Sequence, residues 1–457
     1  MLRSAEVKKL LRPGPSSRTW AVGATTLVLL GGSLLAACSS SPSGGGSANS
    51  GTLRIITWEN PPAVTALKQI DAEFQKAYPK VKVELGTAAN VNGPYSQLLQ
   101  TSVDSGTADI VTWVQQLQPL PLKITSTNLT PWQKWTTSKV FAPLNGQSFM
   151  ADYTAGAKAA ETYQGNVYGV VSGVYQEGVF YNKAIFAQYH LSPPTTYSQF
   201  ISELATLKAH HVQPLWLATG GPGDPGGTYL QFIYYNLMSS LWQPYVPGKT
   251  LATDLENGTV KWTDPHFTQV MNEEKQIASY LEPDYTGQSW LLMPTDFAAG
   301  KAAMLLDGSW DMALVQAAHP KFSVGFFPLP GSSIAANNQS ELQNDLTFSV
   351  PNGSPHKALA MEWLKFFSQP NIYKQYVDDT GISSSQVSGT FNSYSAQVLG
   401  NWFGKGDYYT SYMPILSTTN SYYDQPVNWS NLQQSMVSGQ MTAQQVEQKY
   451  QSGWQSQ

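Results

Sequence analysis

The chain has 457 residues and is therefore too long for one ordinary hydrophobic core. Its formal net charge is −4 and only 12% of its residues are charged, so it lacks the basic stripe that nucleic-acid binding requires. Its single cysteine excludes an internal disulfide framework and a thiolate metal site. Three of its four arginines lie in the first 18 residues, so the side chain best suited to phosphate and carboxylate is scarce in the rest. The 14 tryptophans and 24 tyrosines instead favour aromatic packing and stacking on amphipathic molecules.

The first 51 residues are typical of an exported and anchored protein. Met1–Thr19 is basic, and Trp20–Leu35 is apolar or small but shorter than the ~20 residues that span a membrane. Leu-Ala-Ala-Cys then resembles the bacterial lipobox, in which the chain is cut before an acylated cysteine. We therefore predict a lipoprotein signal peptide at 1–37, lipidation of Cys38 and a flexible Ser/Gly tether at 38–51. The alternative is a fortuitous cysteine near an ordinary cleavage site.

The next segment predicts a strand, a helix and a second strand. Leu53–Trp58 is β-branched and apolar, as in a strand buried on both faces. Asn60-Pro61 is a typical helix start, and apolar residues recur at helical spacing until Pro79. Val81–Leu85 alternates apolar and charged residues, as in a strand with one wet face. This βαβ order predicts a parallel sheet with a right-handed crossover.

Later segments continue the alternation of strands and helices, which predicts an α/β protein. Two capping-box patterns, Thr196 with Gln199 and Thr442 with Gln445, mark helix starts. The other predicted elements are a helix near residues 95–103, a strand at 106–113, an extended stretch at 168–186, an apolar strand within 300–310 and a helix opened by Ser354-Pro355.

Five short motifs occur along the chain in a fixed order: Gly106–Val111, Tyr181-Asn182-Lys183, Pro193–Phe200, Gly300–Met304 with Gly308-Ser309-Trp310, and Pro328–Gly331. Together they resemble the family-1 extracellular solute-binding proteins, the maltose-binding-like receptors of sugar ABC importers. Their counterparts there are G-x-x-P-D-V, Y-N-K, P-P-x-T-W-D-E-F, G-K-A-A-M with G-S-W, and P-L-P-G. One departure is Ala108, which stands where proline is usual.

The resemblance implies a type II periplasmic-binding-protein-like fold with two α/β lobes. Each lobe would be a mostly parallel sheet flanked by helices, with the ligand cleft between the lobes. The implied N-terminal lobe is 52–169 plus 308–326, and the C-terminal lobe is 180–305 plus 346–457. The hinge crossings would be 170–179, 304–307 and 326–345.

Candidate ligand contacts follow from the rule that ligands of open α/β sheets lie beyond the carboxyl ends of strands. At such ends the sequence places aromatic residues beside hydrogen-bonding ones, the pairing that a sugar's C–H faces and hydroxyls require. Each aromatic residue could equally fill a core. The predicted contacts are Trp58, Glu59, Trp113, Gln116, Tyr175, Ser309 and Trp310, with Asp224 and Tyr229 from a glycine-rich loop and Asp345 and Gly381 from two further turns.

With the resemblance, these residues predict a monomeric binding protein that takes a neutral carbohydrate, more an oligosaccharide than a monosaccharide. It would deliver this solute, unaltered, to the permease subunits of an ABC importer. Its position would be the extracellular face of the cytoplasmic membrane, held by lipidated Cys38. We expect no enzymatic activity, no cofactor, no metal and no nucleic-acid partner.

Two alternatives stay open. The first is a binding protein for an acidic or phosphorylated solute, such as a glycerol phosphodiester or a uronate, although Arg54 lies inside a predicted strand rather than at its end. The second is a secreted glycoside hydrolase, which needs two carboxylates across a cleft. Glu59, Glu177, Asp224 and Asp311 are available for that role, but no sequence feature selects a pair.

Overall fold

A computed structural model describes residues 47–88, 94–113, 117, 118, 120, 124, 129–219, 230–242, 245, 248–405 and 426–455. These residues belong to one compact unit, Gly44–Gln457. Cys38, Gln116, Asp224 and Tyr229 lie outside the described residues. Within the described part, no helix combines the length and the apolar character needed to cross a membrane.

The elements alternate along the chain, as the sequence predicts. The strands are β1 (Gly51–Trp58), β2 (Val81–Ala88), β3 (Ile110–Trp113), β4 (Thr162–Tyr163), β5 (Asn166–Val167), β6 (Val170–Val171), β7 (Val174–Asn182), β8 (Leu215–Trp216), β9 (Met304–Gly308), β10 (Val324–Phe327), β11 (Glu341–Asn344) and β12 (Thr347–Ser349). The helices are α1 (Pro61–Ala77), α2 (Pro94–Asp104), α3 (Pro131–Thr137), α4 (Ala155–Ala160), α5 (Lys183–Gln188), α6 (Tyr197–Ala209), α7 (Gln231–Leu241), α8 (Gly248–Glu256), α9 (Pro265–Ala278), α10 (Met293–Ala298), α11 (Met312–Ala317), α12 (Lys357–Phe367), α13 (Pro370–Thr380), α14 (Tyr394–Leu399), α15 (Pro426–Val437) and α16 (Ala443–Gln455).

Local signals set most helix starts. The Asn60 side chain accepts a hydrogen bond from the Ala63 N–H at 3.3 Å, which confirms the predicted start of α1. The Thr442 and Gln445 side chains form the predicted capping box before α16. The helix predicted to open at Ser354 begins later, at Lys357; the Ser354 hydroxyl accepts from the His356 N–H at 3.0 Å and donates to the Asp109 carboxyl at 2.6 Å.

The first sheet has the strand order β2-β1-β3-β12-β6. β1 pairs in parallel with β2 and β3, which confirms the predicted βαβ opening. β12 runs antiparallel to both of its neighbours, β3 and β6. Helices α1, α12 and α13 bury their apolar faces against this sheet, with Phe74, Trp363 and Tyr376 fully buried among them.

The second sheet has the order β10-β7-β9-β8, and β11 also pairs with β7. Of these pairings, only β8 with β9 is parallel. The prediction of mostly parallel sheets is therefore wrong for the second sheet. Its central strand, β7, arrives directly from the first sheet, whereas β11 leaves towards it, so the two must run in opposite directions.

Three stretches of chain pass from one sheet region to the other, side by side. The first passes at Ser172-Gly173, and the second at Asp345-Leu346. They are joined by the Asp345 N–H to the Gly173 carbonyl at 2.9 Å and the Ser172 N–H to the Leu346 carbonyl at 2.8 Å. The third passes at Ser383, which exchanges two backbone hydrogen bonds of 2.8 Å with Val174. We call these the three crossings.

Several predicted boundaries differ from this arrangement. Residues 304–307 do not cross, because they form β9 inside the second sheet. Residues 308–326, predicted for the N-terminal lobe, contribute Met312 and Val315 to the core of the second sheet. The segment 346–457, predicted to belong wholly to the C-terminal lobe, is divided between the two sheets. Its strand β12 is part of the first sheet, and its helices α12 and α13 cover that sheet. An apolar helix face in a sequence does not specify which sheet it covers.

Gly173 gives a test of how closely the crossings are packed. An added Cβ atom would lie 2.2 Å from Ile382 Cδ1 and 2.8 Å from the Ser383 carbonyl oxygen. We expect Gly173→Ala to lower the free energy of unfolding by about 1–3 kcal/mol through overpacking, as measured by urea unfolding. Gly146→Ala is the matched control, because a Cβ there meets nothing within 4 Å. Equal losses in both variants would contradict the tight contact.

Candidate functional site

Tyr175, Ser309 and Trp310, all predicted contacts, come together where β9 ends. The Trp310 ring lies directly over Gly308, where an added Cβ would approach the ring to 1.9 Å. The Tyr175 ring meets Trp310 edge-on, with centroids 4.7 Å apart and an interplanar angle of 90°. Phe232 of α7 flanks Trp310 at 5.7 Å. We call Tyr175, Trp310 and Phe232 the aromatic corner.

Hydrogen bonds connect the aromatic corner to a buried carboxyl group. The Tyr175 hydroxyl donates to Gln343 Oε1 at 2.6 Å. The amide nitrogens of Gln343 and Asn236 each lie 3.5 Å from a different carboxyl oxygen of Glu177. The corner therefore offers apolar ring faces beside ordered hydrogen-bonding groups, as a sugar site requires.

Three carboxyl groups, those of Glu177, Asp307 and Asp311, lie behind the aromatic corner. Burial raises the pKa of Glu177 to about 8 and that of Asp311 to about 7. Burial, and next the neighbouring Asp311, raises the pKa of Asp307 well above its usual range. Near neutral pH the group therefore retains protons and carries less negative charge than three free acids. Among the described residues, no cluster of three or more His, Cys, Asp or Glu is arranged to hold a metal ion.

Hydrogen bonds of Gln176 and Ser309 link the aromatic corner to the rest of the second sheet. The Gln176 N–H donates to Ser309 Oγ at 3.1 Å. The Gln176 side-chain amide donates to the carbonyls of Trp402 and Lys405, at 2.7 and 2.9 Å, and accepts from the Gly404 N–H at 2.8 Å. Buried polar groups that are fully hydrogen-bonded hold a fixed geometry.

Asp345 and Gly381 lie at the crossings and not in the aromatic corner. Asp345 is buried beside Ser172, whose hydroxyl is 3.5 Å from the carboxyl, and burial raises the pKa of Asp345 to about 6. Gly381 ends α13 with a φ of 77°, a conformation that favours glycine. An added Cβ at Gly381 would lie 2.8 Å from the Ser395 hydroxyl, which donates to the Ser309 carbonyl.

Trp58, Glu59 and Trp113 lie at the carboxyl edge of the first sheet. Trp58 is half-buried at the end of β1, and Glu59 after it is exposed. Trp113 ends β3 and stacks on Trp132, with centroids 5.9 Å apart and an interplanar angle of 4°. Trp113 is only 6% exposed, and its indole N–H has no hydrogen-bond partner among the described residues.

The sequence analysis missed Gln343, Asn236 and Asp307. Gln343 faces Tyr175 because β11 pairs with β7 in the register Gln343↔Tyr175. A sequence feature could have identified Gln343 as a candidate, because the polar run Gln343-Asn344-Asp345 follows an apolar residue near a predicted crossing. Asn236 carries no such signal, because it lies in the middle of an otherwise apolar helix.

Comparisons with known proteins agree with this fold. The family described as "Bacterial extracellular solute-binding protein" matches residues 58–371. The multiple sugar-binding protein of Streptococcus mutans is 25% identical over 319 residues, which are 69% of this chain and 70% of that protein. A chitin oligosaccharide binding protein superposes with a TM-score of 0.71 at 19% identity, and RafE in complex with raffinose with 0.68 at 18%. Both superpositions cover 89% of this chain and 99% of the other, and at these identities they establish the fold.

The raised pKa of Glu177 predicts how stability depends on pH. Its reference pKa is 4.5 and its folded value about 8, so the folded protein binds more protons between these values and loses stability as pH rises through that window. Glu177→Gln has no proton to lose at this position. Between pH 4.5 and about 8, the free energy of unfolding of Glu177→Gln should therefore fall less than that of the wild type, by up to about 5 kcal/mol, as measured by urea unfolding.

Glu73→Gln is the control for this measurement, because Glu73 lies exposed on α1. Its stability profile should follow that of the wild type. A Glu177→Gln profile parallel to the wild-type profile would show that Glu177 does not retain its proton in the folded protein.

Proposed function

Because the chain belongs to the family of bacterial extracellular solute-binding proteins, we propose that it binds a neutral oligosaccharide and delivers it, unaltered, to the permease of an ABC importer. The observation that carries this proposal is the aromatic corner, where Tyr175 and Trp310 meet at 4.7 Å beside ordered polar side chains. Aromatic faces stack on the C–H faces of sugar rings, while amides and hydroxyls replace the water lost from sugar hydroxyls.

Aromatic groups at both sheets favour a ligand with more than one sugar ring. Trp58 and Trp113 lie at the edge of the first sheet, and Tyr175 and Trp310 lie at the second. Similar proteins include the multiple sugar-binding protein of Streptococcus mutans and RafE in complex with raffinose. Binding would favour the arrangement in which both sheets contact the solute, so ligand would shift a two-state hinge equilibrium.

The placement of charged side chains in the described residues favours a neutral solute over an anionic one. Arg54, the only arginine after the signal peptide, lies 3.2 Å from Glu84 on a neighbouring strand. Glu177, Asp307 and Asp311 would repel an anion whenever they ionise. A hydrolase is also disfavoured, because Glu177 is 1% exposed and therefore poorly placed to contact a glycosidic bond.

The family is extracellular, and we propose that this member is a monomer anchored through acylated Cys38 to the outer face of the cytoplasmic membrane. The predicted tether ends at Gly51, but Gly51 is the first residue of β1; the Ser/Gly-rich residues before it would let the binding unit reach the permease while the lipid holds it near the membrane.

Replacement of Cys38 tests the anchor. We expect Cys38→Ala to leave the protein either uncleaved or free in the medium, because no thiol remains to be acylated. Cell fractionation and mass measurement of the product distinguish these states. Ser39→Ala is the matched control and should remain processed and membrane-bound. A processed, membrane-bound Cys38→Ala protein would contradict lipidation at this position.

A thermal-shift screen tests the solute class. The wild type should be stabilised by at least one neutral oligosaccharide, such as raffinose or a chitin oligosaccharide, by about 2.7 kcal/mol at 100 times the dissociation constant. Trp310→Ala should weaken that binding by about 1–3 kcal/mol in calorimetry, because it removes a stacking face.

Tyr245→Ala is the matched control for the aromatic loss. Tyr245 is exposed, contacts His266 at 4.0 Å, and follows the end of α7 opposite to Phe232. Its replacement should leave the affinity unchanged. Stabilisation by glycerol 3-phosphate or glucuronate alone would contradict a neutral solute, and release of shorter sugars during incubation would favour the hydrolase.

A further inference from the structure

The buried carboxyl group of Glu161 joins the first sheet's aromatic residues to a crossing. Glu161 follows α4 and is fully buried. One carboxyl oxygen accepts from the Asn344 amide at 2.8 Å and from the Thr347 hydroxyl at 3.2 Å. The other accepts from the indole N–H of Trp132 at 3.3 Å. Asn344 and Thr347 lie on either side of the second crossing, so Glu161 holds Trp132 to that stretch of chain.

Trp132 is in turn the ring on which Trp113 stacks. The rings are nearly parallel, with an interplanar angle of 4°, and Phe141 packs against Trp132 at 4.7 Å. Trp113 has no described hydrogen-bond partner for its own indole N–H, so packing orients the ring, while the backbone of Trp113 pairs with Thr347 of β12. Its neighbour Trp135 adds an edge contact at 6.2 Å.

We propose that Glu161 is a positioning residue of the ligand site: by holding Trp132, it fixes the orientation of Trp113 and links that ring to the second crossing. The effect on ligand binding rests on the proposed function, since it requires Trp113 to contact the solute. The effect of Glu161 on the orientation of the Trp113 ring does not depend on the proposed function, because it is present in the protein without ligand.

The described partners of the Glu161 carboxyl group all donate to it, and both of its oxygens can accept at a pH above about 8, the value to which burial raises its pKa. A glutamine has nearly the same shape but only one acceptor oxygen. In Glu161→Gln, the indole N–H of Trp132 can only donate and therefore needs the amide oxygen, so the NH₂ group must face Asn344 and Thr347, whose side chains have to turn to accept from it. The variant tests the connection without creating a cavity.

The chain contains a second pair of the same chemistry, away from the aromatic edge. The Asp71 carboxyl, buried between α1 and α12, accepts the indole N–H of Trp363 at 2.9 Å. Trp363 stacks on Phe367 within the first core, not on Trp113. Asp71→Asn is therefore a matched control that perturbs a buried carboxyl–indole bond but not the Trp132–Trp113 stack.

The direct test is the indole N–H spectrum of the ¹⁵N-labelled protein without ligand. We expect Glu161→Gln to shift the signals of both Trp132 and Trp113, assigned with Trp132→Phe and Trp113→Phe, and to leave Trp363 in place. Asp71→Asn should shift the signal of Trp363 and leave those of Trp132 and Trp113 in place. A Trp113 signal that stays in place in Glu161→Gln would overturn the proposal.

The second arm measures the affinity for raffinose by calorimetry. We expect Glu161→Gln to weaken binding about tenfold, but to have no further effect in a Trp113→Ala background, because Glu161 acts through that ring. Asp71→Asn should lower Tm and leave the affinity unchanged. Equal effects of Glu161→Gln in both backgrounds would overturn the proposal. If the wild type binds no neutral oligosaccharide, the proposed function fails, and the spectrum alone decides whether Glu161 positions Trp113.

Discussion

The antiparallel pairing of the first two crossings is the constraint on which the arrangement of the two sheets depends. Strands β6 and β7 carry the chain from the first sheet to the second, and β11 and β12 carry it back beside them. Backbone hydrogen bonds continue through the join, between Asp345 and Gly173 and between Ser172 and Leu346. The paired strands keep a fixed register across the crossings, because any slip would break bonds in both sheets at once.

The polar residues of the site are organised around these same strands. Tyr175, Gln176 and Glu177 are successive residues of β7: Tyr175 and Glu177 both bond Gln343, and Glu177 also bonds Asn236, whereas Gln176 bonds the 402–405 turn. Successive side chains on a strand point to opposite faces, so one short segment serves both the aromatic corner and the packing behind it. Burial of the carboxyl groups beside the corner raises their pKa values, to about 8 for Glu177 and about 7 for Asp311, so the group retains part of its protons near neutral pH.

Local patterns predicted the local structure well. The β1–α1–β2 opening follows from apolar periodicity and an Asn-Pro cap, and the family match confirms the motif resemblance. The sequence could not predict that α12 and α13 return to the first sheet, because their apolar faces would fit either core. Nor could it reveal Glu161, whose partners lie 29 to 186 positions away.

The two sheets bring different chemistry to the site, and the difference bears on the ligand. At the first sheet, Trp113 stacks on Trp132 and is only 6% exposed, so its ring is held rigidly and presents little surface, and its indole N–H has no partner among the described groups. At the second, Trp310 lies over Gly308 with hydrogen-bonding residues beside it. A rigid ring loses little entropy when it binds, whereas the polar side supplies direction and selectivity. The neutral oligosaccharide proposed above, with apolar ring faces and uncharged hydroxyls, would match both kinds of surface better than an anion.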